Sequence, residues 1–187
     1  MLLRPNTALW ENGDYMVNID DIQIKDNFLD ESEVKQLYAH FLSQPFTVRH
    51  RSHGIKQSVH KAQIAHFLED SELEIPAIKK VIDSLEDLGK IVKIYVQCYN
   101  SSTEPIMHTD NGDKTSMTFI HPEYDVDWGG EFILYGGETT GIAVQPLPGR
   151  NVKFNGSALA HTGRPFNSRS KTNRWILVIN YYSKKRQ

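Results

Sequence analysis

The chain has 187 residues, 39% hydrophobic and 24% charged, with a formal net charge of −2. That size suits one domain with room for a buried ligand site, and the balance excludes a collagen, a coiled coil or a disordered tail. No apolar run approaches the roughly 20 residues a bilayer requires, no secretory h-region opens the sequence, and the lone Cys98 excludes a disulfide framework or a Cys-rich zinc site, so the expected compartment is a reducing cytoplasm.

The small net charge hides an asymmetry. Residues 1–149 carry 12 basic and 23 acidic side chains, whereas residues 150–187 carry 9 basic and no acidic ones. A basic stretch of this kind suits nucleic acid, an anionic small molecule, or only a solvated face.

The elements are taken in chain order. Val17–Ile24 alternates loosely and predicts an edge strand. Asp30 is a good N-cap, with Glu31 and Glu33 behind it. Val34, Leu37, Tyr38, Phe41 and Leu42 then follow helical spacing up to Pro45. The polar, basic segment Arg49–Lys61 reads as a hairpin or loop, either a lid over a site or an exposed polar loop. Pro76 opens a second helix, with Ile78, Val81, Ile82 and Leu85 as its stripe and an end near Gly89.

From Ile91 the period changes to that of strands. Ile91–Tyr99, Ser116–Ile120, Glu131–Tyr135, Ile142–Gln145, Asn151–Phe154, Leu159–His161 and Arg174–Tyr182 are predicted strands. Gly, Pro, Asn and Asp clusters such as Asn111-Gly112-Asp113 and Gly136-Gly137 separate them. The pattern predicts an α+β chain in which helices come first and an antiparallel sandwich or barrel follows. Gly129-Gly130 predicts a tight turn at positive φ. Trp128 and Cys98 read as packing residues.

The first chemical anchor is His108-Thr109-Asp110. In an extended segment residues i and i+2 share a face, so the imidazole and the carboxylate can converge on one metal ion. His161, on a later short strand, is the candidate third ligand. Two His and one carboxylate leave open coordination positions, the arrangement of non-haem Fe(II) oxygenases.

Four ordered segments resemble the 2-oxoglutarate/Fe(II)-dependent dioxygenase superfamily, in its prolyl 4-hydroxylase-like branch. They are Tyr99 with His108-Thr109-Asp110, Trp128 to Leu134, Pro146 to Phe154 leading to His161, and Arg174 to Tyr182. The segment Ile24 to Asp30 also looks like that family's start, so the resemblance spans about residues 20–183. It implies a double-stranded β-helix (a jelly-roll, cupin-like core of about 91–183) braced by N-terminal helical support of about 26–90, all within a single domain, 1–187.

By resemblance, His108, Asp110 and His161 hold Fe(II). 2-Oxoglutarate and O2 are co-substrates, and ascorbate is an optional addition. Arg169, Lys171 and Arg174 compete to bind the distal carboxylate of 2-oxoglutarate. Family spacing favours Arg169 or Lys171; strand register favours Arg174, which is preferred here, with Lys171 second. Tyr99 sits where the family places a co-substrate-binding tyrosine. Phe119 stands where a second tyrosine is common and has no hydroxyl.

The implied reaction is hydroxylation of an unactivated C–H, with a prolyl residue in a peptide or protein as the first substrate expected. A free amino acid or small metabolite is the alternative. The retained Asp110 argues against halogenation. Nucleic-acid demethylases of the superfamily carry a second arginine six residues after the first, where this chain has Asn180, which argues against nucleic acid. A non-catalytic, cupin-like binding module is the alternative from outside the enzymes.

Overall fold

The computed structural model describes residues 22–50, 62–104, 106–136 and 141–184. The tip of the Arg49–Lys61 segment, and most of the strand expected at Val17–Ile24, lie outside the described residues. Two elements open the described chain, β1 (Gln23–Lys25) and α1 (Glu31–Leu42).

Asp30 starts α1 as its type predicts. Its carboxylate accepts from the Glu33 amide at 2.8 Å, and the Glu33 carboxylate accepts from the Asp30 amide at 2.8 Å. This reciprocal capping box satisfies two amides that the first turn would otherwise leave unpaired. The helix stops at Ser43, ahead of Pro45.

Next come β2 (Thr47–His50), β3 (Ala62–Phe67), the one-turn helix α2 (Asp70–Leu73) and α3 (Pro76–Asp83). β2 and β3 pair antiparallel, in keeping with the hairpin alternative for this stretch, although no strand bounds are expected there from the sequence. They lie inside the stretch read as N-terminal helical support, so that support also contains sheet. α3 ends before the expected Gly89, because the chain is already extended from Leu88 onward.

The rest of the chain is β4 (Leu88–Tyr99), β5 (Lys114–Phe119), β6 (Phe132–Tyr135), β7 (Gly141–Val144), β8 (Asn151–Phe154), β9 (His161–Gly163) and β10 (Arg174–Ser183). The described chain is therefore mostly β-sheet with few helices. Seven strands form one sheet in the order β1-β8-β5-β10-β4-β3-β2, and three form another in the order β7-β6-β9. The named strand pairs are antiparallel. The expected last strands are found, with β9 shifted towards Gly163. No helix among the described residues is long and apolar enough to cross a membrane.

The large sheet has two buried faces. One packs Ile94, Val96, Trp175, Leu177, Ile179 and Tyr181 with Val34, Leu37 and Phe41 of α1 and Ile78 and Val81 of α3. The other packs Tyr95, Tyr99, Met117, Phe119, Ile176 and Val178 with Phe132, Leu134 and Val144 of the small sheet. Alternation along each strand sends successive side chains to these two faces. The sandwiched face holds the site.

Candidate metal centre

His108 and His161 are brought together by backbone pairing. His108 lies outside the regular strands but forms an isolated antiparallel bridge to His161 of β9. The His108 amide donates to the His161 carbonyl at 3.0 Å, and the return bond is 2.8 Å. The Asp110 amide donates to the Gly156 carbonyl at 2.8 Å, which fixes the third residue against the turn before β9.

Both imidazoles are oriented by the same device. His108 Nδ1 lies 2.9 Å from the Ile106 carbonyl, and His161 Nδ1 lies 2.8 Å from the Leu159 carbonyl. A carbonyl only accepts, so each Nδ1 carries the proton and each Nε2 keeps its lone pair in the neutral ring. Those lone pairs face Asp110. His108 Nε2 is 3.8 Å from Asp110 Oδ1, and His161 Nε2 is 3.4 Å from Asp110 Oδ2. The three ligand atoms all lie within 4.8 Å of one another.

This set fits a divalent transition metal. Ligands about 2.1 Å from an ion, and at right angles to each other, stand about 3 Å apart. The two histidine–carboxylate spacings, 3.8 and 3.4 Å, are somewhat longer than that. Burial opposes ionisation of Asp110. The adjacent His161 and His108 side chains and the Thr115 hydroxyl outweigh it, and hold the carboxyl below the usual carboxylate range. Burial, with the neighbouring His161, pushes His108 below the ordinary histidine value. Both directions favour a carboxylate and a free imidazole, the forms that bind metal.

The cluster lies in a cleft of about 310 Å³, part of it open to solvent. Tyr95, Gln97 and Tyr99 line it from β4, and Arg174, Ile176 and Val178 from β10. Arg174 is 0% exposed, yet none of its three guanidinium nitrogens has a hydrogen-bond partner among the described residues. Its guanidinium carbon lies 5.2 Å from the ring centres of both Tyr99 and Phe119. Burial lowers its pKa to about 10, so it remains a cation at neutral pH. A side chain at Gly163 would come within 2.8 Å of Arg174 Nη1, so glycine keeps this space clear.

The sequence-predicted residues separate clearly. His108, Asp110, His161, Tyr99 and Arg174 line one cleft. Lys171 and Arg169 do not: both are exposed, in the turn before β10. Arg174, which opens β10, is the candidate cation that lines the cleft with His108, Asp110 and His161. Gly129 and Gly130 have φ of 70° and 84°, as their turn requires. Trp128 stands edge-on to Phe166, with ring centres 5.7 Å apart. Cys98 is buried, and burial raises its thiol pKa to about 11.

Sequence reasoning misses Thr115, Gln97 and Asn180. Thr115 donates to Asp110 Oδ2 at 2.7 Å, and Asn180 Nδ2 donates to Thr115 Oγ1 at 2.8 Å. Gln97 lines the cleft at 5% exposure. Period-two counting would have found two of these, since Gln97 shares a face with Tyr99, and Asn180 shares one with Arg174.

No family model matches the chain, and no curated protein matches it. Solved structures do. A prolyl hydroxylase from Trichoplax adhaerens, in complex with a hypoxia inducible factor oxygen degradation domain peptide fragment, aligns with a TM-score of 0.68 at 22% identity, over 88% of this chain and 84% of that one. A Pseudomonas putida prolyl-4-hydroxylase aligns with a TM-score of 0.64 at 14% identity, over 86% and 92%. HygX from Streptomyces hygroscopicus, with nickel and 2-oxoglutarate bound, aligns with a TM-score of 0.62 at 9% identity, over 86% and 83%. The fold is that of the 2-oxoglutarate/Fe(II) oxygenases, a jelly roll. Within that class the chain is similar to prolyl hydroxylases over most of its length.

Proposed function

We propose that the chain is a 2-oxoglutarate- and Fe(II)-dependent dioxygenase that hydroxylates an unactivated C–H, with a prolyl residue in a peptide as its substrate. One observation carries this reading. The cleft that holds the His108–Asp110–His161 cluster also holds a fully buried guanidinium without a partner. A buried unpaired charge is strongly unfavourable, so the site is built to receive an anion. A dicarboxylate that chelates the metal at one end meets Arg174 at the other.

The geometry supports these roles. His108, Asp110 and His161 hold Fe(II), which with 2-oxoglutarate and O2 supplies the oxidative decarboxylation to succinate and CO2 that hydroxylates the substrate. Arg174 takes the distal carboxylate through its planar fork. Tyr99, beside it, offers its hydroxyl to the same group. Phe119 gives the guanidinium a ring face but no hydrogen bond, so Arg174 bears most of that recognition. Ile176, Val178 and Met117 form the dry floor that strengthens these contacts.

The described helices belong to the same single domain, and α1 and α3 brace the large sheet from the face opposite the cleft. The peptide substrate rests on the similarity to prolyl hydroxylases, one of them in complex with a peptide.

The test is 2-oxoglutarate turnover to succinate with Fe(II) and ascorbate, using proline-containing peptides and free amino acids as substrates. Peptide-dependent succinate, and a mass gain of one oxygen on proline, are expected. A gain only on a free amino acid or metabolite would replace the prolyl assignment. Equal absence of turnover in wild type and His161→Ala, with or without substrate, would remove the enzyme reading and leave a binding module.

A further inference from the structure

The geometry points to a positioning device behind Asp110: Asn180 and Thr115 form a one-way hydrogen-bond relay that holds the carboxylate turned towards the two imidazoles. It rests on the metal centre proposed above.

Thr115 of β5 and Asn180 of β10 are direct cross-strand partners. Both are buried, at 1% and 0% exposure. Asn180 Nδ2 lies 2.8 Å from Thr115 Oγ1, and that hydroxyl lies 2.7 Å from Asp110 Oδ2. An amide NH2 only donates and a carboxylate only accepts. The single hydroxyl proton between them therefore has one destination, Asp110. Reversing the amide would give Thr115 an acceptor on each side of its one proton, and would leave a buried NH2 unpaired. The orientation seen leaves only Asn180 Oδ1 without a partner.

Gly156 completes the device. Its carbonyl accepts the Asp110 amide at 2.8 Å. A Cβ there would collide with the Thr115 hydroxyl and crowd the Asp110 Cβ at 3.1 Å. Glycine lets the turn before β9 close over the relay. The carboxylate is thus held from behind by the hydroxyl and along its backbone by the turn, with its open side towards His108 and His161. Groups behind metal ligands commonly set metal affinity in this way.

The test is Mn(II) affinity of the full chain by titration, with thermal melting alongside. Thr115→Val weakens Mn(II) binding by about 10–100-fold, while Thr115→Ser stays within about threefold of wild type. Asn180→Leu weakens it by several-fold, because an unbiased hydroxyl no longer points only at Asp110. Added to Thr115→Val, Asn180→Leu changes nothing further, since Asn180 acts through that hydroxyl alone. Additive losses, or wild-type affinity in Thr115→Val, overturn the relay.

Should Thr115→Val fail to fold, Asn180→Leu is read in the Thr115→Ser background. There it must weaken binding as it does in wild type, and no effect overturns the proposal. NMR of the metal-free protein gives a reading that does not depend on metal. A slowly exchanging Thr115 hydroxyl proton is expected in wild type and lost in Asn180→Leu. Its absence from wild type overturns the relay. Its presence in a protein that binds no Mn(II) upholds the relay and removes the metal centre instead.

Discussion

Consecutive residues of β10 face opposite ways, and the two faces they build have opposite chemistry. Trp175, Leu177, Ile179 and Tyr181 turn towards α1 and α3, into a cluster of apolar side chains. Arg174, Ile176 and Val178 turn into the cleft, and Asn180 turns to Thr115. Burial on the helix side removes apolar surface from water and asks for nothing more. Its one unpartnered polar group on β10 is the neutral indole N–H of Trp175. Burial on the cleft side includes a cation with no partner. Packing explains the first face completely. The second face buries a cation without a hydrogen-bond partner among the described residues, which an anion in the cleft would supply under the proposed function, and this difference marks the candidate site.

The largest expected effect separates the faces directly. Arg174→Met should weaken 2-oxoglutarate binding to the Mn(II)-loaded protein by about 100-fold or more, because a buried charge-assisted pair loses one partner. The thermal midpoint of the ligand-free protein should stay level or rise, since an unpaired buried charge is replaced by an apolar chain. A lower midpoint with unchanged 2-oxoglutarate affinity would make Arg174 a packing residue and break the comparison.

The reciprocal experiment is Leu177→Ala, three residues along the strand but on the helix side. Leu177 is 0% exposed. Its truncation should cost about 2–5 kcal/mol in urea unfolding. Mn(II) and 2-oxoglutarate affinity of the folded protein should remain within about twofold, because distant sites act independently. A large loss of ligand affinity at full folding would mean that the faces are coupled through the strand.

This two-faced strand was partly visible before any coordinates. Short β-branched and aromatic runs between Gly-, Pro-, Asn- and Asp-rich turns mark β4, β5, β6, β8 and β10. The i, i+2 spacing of His108 and Asp110 survives into the structure because that segment is extended. β2 and β3 are legible only as a possible hairpin, since Arg49, His50 and Gln63 interrupt any apolar pattern and β3 is held in the sheet by its pairing with β4. Gly89 reads as a helix stop but lies within β4, where the close approach of the Tyr182 carbonyl leaves no room for a side chain. Thr115 and Asn180 meet only through sheet pairing, and no local signal links them. Register alone ranks Arg174 above Lys171, and the burial that separates them more sharply is a property of the folded sheet.

A pH measurement sharpens the same boundary. His121 is 0% exposed, and follows β5 beside the cleft. Its Nε2 donates to the Pro146 carbonyl at 2.6 Å. Burial, aided by the charge of Arg174, lowers its pKa to about 4 in the folded protein. Unfolded, it titrates near 6.5. The unfolded state therefore binds more protons between these values, and stability falls as pH drops from about 6.5 to 4. The Pro146 carbonyl, and that of Trp175 at 3.4 Å from Nδ1, limit the loss, which is of the order of 3 kcal/mol. His121→Gln should flatten that part of the urea-stability profile. An unchanged slope would assign the loss to other groups.

The smallest effect belongs to the two cations that sequence spacing favoured. Lys171→Ala and Arg169→Ala remove exposed charges from the turn before β10, outside the cleft lining. Neither has a contact to lose with a dicarboxylate bound at Arg174. What remains is long-range attraction, and salt at about 0.15 M screens exposed charges beyond roughly 8 Å. The 2-oxoglutarate affinity of each variant should match wild type within about twofold at that ionic strength, and any deficit should grow as salt is lowered. A salt-independent, tenfold loss in Lys171→Ala would mean that the turn folds in when 2-oxoglutarate binds. Spacing from His161 would then have been the better guide than the register of β10.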